Sequence, residues 1–118
     1  MIVTDFKIYK KDNNLDNRDN LNELPAEKAV YAIYSRVNGK PENCRFVGAT
    51  DNLQDAVKSH FSISEKDDCL KEFMQSIKIK TLNYKLMKDA SEDELSSLQK
   101  EWEDQYQPEC TAELNRVY

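Results

Sequence analysis

Few side chains in this chain of 118 residues could do chemistry, and those few stand far apart in sequence. His60 is the single histidine, the one side chain that titrates near neutrality without help. A general acid or base needs partners to orient it. Here Leu53, Ala56, Val57, His60 and Phe61 recur at i, i+3, i+4, i+7 and i+8, which puts the imidazole on the apolar stripe of a helix. In that place it reads first as a half-buried histidine with its hydrogen bonds satisfied. Cys44, Cys69 and Cys110 are an odd set at wide spacing, with no CxxC and no Cys/His cluster. That pattern argues against zinc and against a disulfide framework, and the thiols read as inert small hydrophobes in a reducing cytoplasm. Tyr31 and Phe46 read as core aromatics of two strands. Gln99, at i+4 from Leu95, borders a buried helical stripe, where its amide can donate as well as accept.

The elements that must position these groups follow from periodicity. Residues 2–9 alternate as a short strand, and the Asn/Asp-rich run 10–23 reads as a loop or flexible connector. A strand at 29–35 and another at 44–48 flank a loop at 36–43 that contains Gly39, a hairpin arrangement. The Thr50-Asp51-Asn52 cluster suits an exit into a helix at 52–61. A second helix at 66–77 would bury Leu70, Phe73, Met74 and Ile77. Residues 80–87 alternate, with Leu82, Tyr84 and Leu86 on one side. Ser91 and Glu94 form a capping box that opens a helix to about 106, striped by Leu95, Leu98, Trp102 and Tyr106 and stopped by Pro108.

The segments Ala29-Val30-Tyr31 and Phe46-Val47-Gly48, with His60 on the helix after them, resemble the signature strands and first helix of the GIY-YIG nuclease family. Leu24-Pro25 and the pattern Gln99, Trp102, Pro108, Leu114-Asn115 are similar to that family's lead-in and exit, so the likeness spans about residues 24–115. It implies an α+β fold, a three-stranded antiparallel sheet flanked by helices in the order β-β-α-α-β-α. An N-terminal strand and polar linker (1–23) would then precede a GIY-YIG-like domain (24–118).

The same resemblance implies a site. In that family a glutamate of the last helix holds a divalent metal, an arginine of the first helix steadies the phosphate, and the signature tyrosines help activate water. A hard cation and a guanidinium offset charge on the phosphoryl oxygens during hydrolysis. Carried over position by position, Tyr31, Gly48 and His60 are retained, Ala29 replaces a glycine, and Phe46 keeps a ring without its hydroxyl. The arginine falls on Ala56 and the metal-binding glutamate on Gln99, and an amide is a poor substitute for the carboxylate that Mg²⁺ favours. Losing one preorganised contact of this kind typically costs about 10²–10³ in rate. Lys58 and Glu101 lie about 200° round their helices from Ala56 and Gln99 and face elsewhere. Glu103, at i+4 from Gln99, is the one surrogate ligand, and Ala56→Arg with Gln99→Glu is the change expected to rebuild metal binding.

The resemblance thus implies a catalytically inactive domain kept as a binding or scaffold module, with no cofactor. The alternatives are a rewired endonuclease using Mg²⁺ or Mn²⁺, or a non-cutting binder of nucleic-acid structure that uses Lys40, Arg45 and Lys58. With 22 acidic against 17 basic residues and a net charge of −5, composition favours a protein partner over DNA, since phosphate binding draws on basic patches. No apolar run approaches the ~20 residues that span a bilayer.

Overall fold

The computed structural model describes residues 4–11, 18–37, 40–62, 65, 67–76 and 78–110. Strand β1 (Thr4–Ile8) is followed by a 3-10 turn at Leu21–Glu23, then by β2 (Ala29–Val37) and β3 (Lys40–Thr50). Helices α1 (Leu53–His60) and α2 (Asp68–Gln75), strand β4 (Lys80–Leu86) and helix α3 (Glu92–Tyr106) complete the order. The four strands form one antiparallel sheet in the order β1-β4-β2-β3.

Period-two alternation in β2 divides the core in two. Ala29, Tyr31 and Ile33 point to one face, where Phe46, Leu82, α1 and α2 close over them. Val30, Ala32 and Tyr34 point to the other, where Val47 and the α3 residues Leu95 and Trp102 pack. Helices therefore cover both faces of the sheet, and every residue of β2 from Ala29 to Ser35 is buried. Caps fix the helix starts. The Asn52 side chain accepts from the Asp55 amide at 3.0 Å and Asp67 from the Leu70 amide at 3.1 Å. Ser91 and Glu94 make the reciprocal capping box at α3.

Four sequence expectations are corrected here. The sheet has four strands rather than three, because β1 pairs along β4 from Thr4↔Tyr84 to Ile8↔Lys80. The expected loop at 36–43 is mostly strand: pairing runs on through Ser35↔Glu42 and Arg36↔Pro41 to Val37↔Lys40. Its polar composition hid this, because a ribbon need not be apolar to pair its backbone. Two register shifts flank Tyr34, one passing over Arg45 and the other over Asn43, and the Asn43 φ of 56° lies in the left-handed region that asparagine tolerates. In β4, Leu82 is buried but Leu86 is 40% exposed, while Lys80, Thr81 and Lys85 are buried. An interior strand covered on both faces does not need to alternate cleanly. Finally, Cys69 and Cys110 are joined in a disulfide across 41 residues, with Cα atoms 5.5 Å apart, and only Cys44 is a free, buried thiol among the described residues. Such a link stabilises by roughly 2–4 kcal/mol.

Of the Asn/Asp-rich run, residues 12–17 lie outside the described residues, as do Gly39, Ile77 and Leu114-Asn115. Leu21 is buried in the same cluster as Ile8, so both are part of the core. No helix among the described residues is long and apolar enough to cross a membrane.

Gly48 lies directly beneath the Tyr31 ring. A Cβ there would come within 2.8 Å of the Tyr31 hydroxyl and of Phe46 Cε2. Gly48→Ala should therefore cost about 1–3 kcal/mol, read from urea unfolding midpoints at unchanged slope.

Candidate functional site

The face covered by α1 and α2 holds a chain of three polar groups. The Tyr31 hydroxyl lies 2.6 Å from His60 Nε2, and His60 Nδ1 lies 2.5 Å from Glu65 Oε1. A carboxylate can only accept, so Nδ1 carries a proton; in the neutral ring Nε2 then accepts from the tyrosine hydroxyl. The second Glu65 oxygen accepts from the Asp67 amide at 2.9 Å. Tyr31 and His60 are buried, and the Glu65 side chain is 11% exposed. Strand β2 supplies the tyrosine, the inward stripe of α1 the histidine, and the segment between α1 and α2 the carboxylate.

This arrangement has the connectivity of an acid–base relay without its access. Burial, and secondarily the charge of Glu65, holds the Tyr31 hydroxyl well above its ordinary pKa of 10.0, so it stays protonated at neutral pH. The Phe46 ring meets the imidazole edge-on with centroids 4.9 Å apart, and Ala56, one turn before His60, is 2% exposed. Tyr31, Phe46, Gly48, Ala56 and His60 thus come together, in a sealed pocket.

Gln99 does not join them. It is buried between Leu95 and Trp102 on the stripe of α3 that packs against the opposite sheet face. Glu103 is on the same helix. Two of the cations considered for phosphate are engaged elsewhere. Lys58 Nζ donates to Asn22 Oδ1 at 2.6 Å. Arg45 pairs with Glu109 at 2.8 Å and lies over the Phe73 ring. The Lys40 side chain lies outside the described ones.

Two groups escaped the sequence reading. Glu65 could have been suspected, because a histidine on an apolar stripe needs a partner for each ring nitrogen and Glu65 is the first carboxylate after the helix. Lys80 carried no such signal. Its ammonium is buried near the Phe61 and Phe73 rings and donates to the Ser76 and Lys78 carbonyls at 2.7 and 2.8 Å. Burial first, and then Lys78, lowers its pKa to about 8. On the α3 side, Lys85, Met87, Asp93, Glu94, Ser97, Leu98 and Glu101 line a groove of about 420 Å³.

No protein-family model matches the chain, and no curated protein matches it either.

Positions 31 and 56 test the pocket. Tyr31→Phe leaves His60 Nε2 without its hydroxyl and should cost about 1–3 kcal/mol at neutral pH. A tyrosine whose folded pKa is raised contributes stability that is present below pH 10 and lost as pH rises above it. The variant should therefore flatten the alkaline decline by about 1.4 kcal/mol per pH unit, measured by denaturation between pH 9 and 11. Ala56→Arg should destabilise by about 1–3 kcal/mol from overpacking alone. Combined with Gln99→Glu it should give no gain in Mn²⁺ affinity by isothermal titration, since the sheet separates the two positions.

Proposed function

We propose that this chain is a GIY-YIG-like domain without phosphodiesterase activity, serving as a binding or scaffold module for a protein rather than for DNA. The observation that carries this reading is the sealed Tyr31–His60–Glu65 chain with Ala56 beside it. Hydrolysis of a phosphodiester needs a cation at the phosphate, a carboxylate for the metal, and room for water. The pocket that the resemblance would make the active site offers a neutral methyl at the first place, and at the last Tyr31, Phe46 and His60 are all buried. The residue that would be the metal ligand stands on a helix across the sheet.

A protonated, buried tyrosine is also no general base. In this reading Tyr31 and His60 hold β2 and α1 together, and the polar chain replaces chemistry with positioning. The excess of acidic residues favours a basic protein surface over a polyanion.

An amide NMR titration at low salt, with Mg²⁺ and a short branched DNA, tests this. The expected result is a flat response at Tyr31, Phe46 and His60, with no cleavage of the DNA in Mn²⁺. Shifts clustered at those residues, or cleavage that Glu103→Ala abolishes, would overturn it.

A further inference from the structure

Next to the Tyr31–His60–Glu65 chain, the entrance to α2 and the chain leaving α3 meet in a second cluster. Asp67, Cys69 and Cys110 each bring one potential ligand atom, and these three atoms lie within 4.8 Å of one another. In the state described here the two sulfurs are bonded to each other. We propose that Cys69 and Cys110, once reduced, form with Asp67 a redox-gated site for a thiophilic divalent cation of the zinc type. The same two sulfurs then hold either each other or a metal.

The geometry that brings the sulfurs together does not depend on the bond between them. Cys110 is held from its backbone, its amide donating to the Arg45 carbonyl at 2.7 Å. The Glu109 amide donates to the Cys44 carbonyl at 2.9 Å, and the Glu109 carboxylate pairs with Arg45. Cys69 is fixed in the first turn of α2, whose start is set by the Asp67 cap on the Leu70 amide. Reduction therefore leaves two thiols on anchored backbones with Cα atoms near their 5.5 Å spacing. Tetrahedral zinc, with Zn–S of about 2.3 Å and Zn–O of about 2.0–2.2 Å, asks only that such ligand atoms sit roughly 3.5–4 Å apart.

The chemistry of the donors fits as well. Two thiolates and a carboxylate are a borderline-soft set, suited to zinc rather than to Mg²⁺. Asp67 gives one oxygen to the Leu70 amide, which leaves the other for a cation. Cys69 lies in the first turn of a helix, where the N-terminal dipole favours a thiolate. It is exposed while Cys110 is buried, so an incoming thiolate meets the Cys69 sulfur. A dithiol reductant attacks there, the S–S bond breaks, and two electrons pass to the protein as the reductant closes its own disulfide. Cys69 and Cys110 are left as thiols. The cation then displaces two protons to solvent as two metal–sulfur bonds form.

The full chain, titrated with Zn²⁺ and with Cd²⁺, tests the site with and without a phosphine reductant, its folding followed by far-ultraviolet circular dichroism. The reduced protein should take up one equivalent, show thiolate-to-cadmium charge-transfer absorption, and gain in thermal midpoint, whereas the oxidised protein should do none of these. Cys69→Ser should lose binding. Asp67→Asn, which keeps an oxygen for the Leu70 amide, should weaken it on the order of 10–100-fold, the loss typical even of outer-shell changes. A reduced, folded chain that binds neither ion would overturn the proposal. Equal affinity in the oxidised protein, or in Asp67→Asn, would overturn it too.

Discussion

The hydrogen bond between Tyr31 and His60 is the constraint from which much of this structure follows. For the hydroxyl to reach Nε2, the tyrosine ring must cross β3, and it can do so only where Gly48 has no Cβ. For the imidazole to face inward, α1 must present Leu53, Ala56 and Val57 on the same side, and all three are buried. The second ring nitrogen then needs an acceptor, which fixes Glu65, and Glu65 in turn receives the Asp67 amide at the start of α2. One polar thread thus runs from the central strand through α1 to α2. Its net worth at each bond is about 1 kcal/mol, but leaving any member unpaired in that interior costs more than making the bond gains.

The two cations on the same side obey the same economy. Lys80 is kept under α2 by the Ser76 and Lys78 carbonyls, with the Phe61 and Phe73 rings near its ammonium. Arg45 spans the edge of the sheet, stacking on Phe73 and pairing with Glu109. That contact joins the segment after α3 to β3, and the Cys69–Cys110 link ties the same segment to α2. The α2 face is therefore closed by polar and covalent contacts at its rim, whereas the α3 face is closed by Leu95 and Trp102 on a shallow layer of Val30, Ala32 and Val47.

What could be read from sequence was whatever is written in local spacing. The stripe of α1, the caps at Asn52 and Ser91 and the strand around Tyr31 are short-range patterns, and each stands where its spacing puts it. What escaped was set by distant neighbours. Lys80 gives no local sign of its burial, which comes from the Phe61 and Phe73 rings and the Ser76 and Lys78 carbonyls over the sheet face. Cys69 and Cys110 look unrelated across 41 residues, because only the packing of two helix ends brings them together. The candidate site divides in the same way. His60, Tyr31, Gly48 and Phe46 belong to adjacent elements and meet. Gln99 depends on which sheet face α3 covers, and no local pattern states that.

The closure of this pocket and the identity of its neutral residues depend on each other. An arginine at position 56 would need water or a carboxylate beside it, so the α1 face could not close over β2 while it was present. A hydroxyl on the Phe46 ring would ask for a further partner in a space where the imidazole has already committed both nitrogens. With alanine at 56 and phenylalanine at 46, the remaining polar groups are those that can satisfy one another, and the pocket can exclude water without stranding any of them. A pocket closed over an arginine at 56 or a hydroxyl at 46 would be less stable than this one. Residue choice and burial therefore support each other: Ala56 and Phe46 ask for no polar partner, and Tyr31 and His60 are each other's.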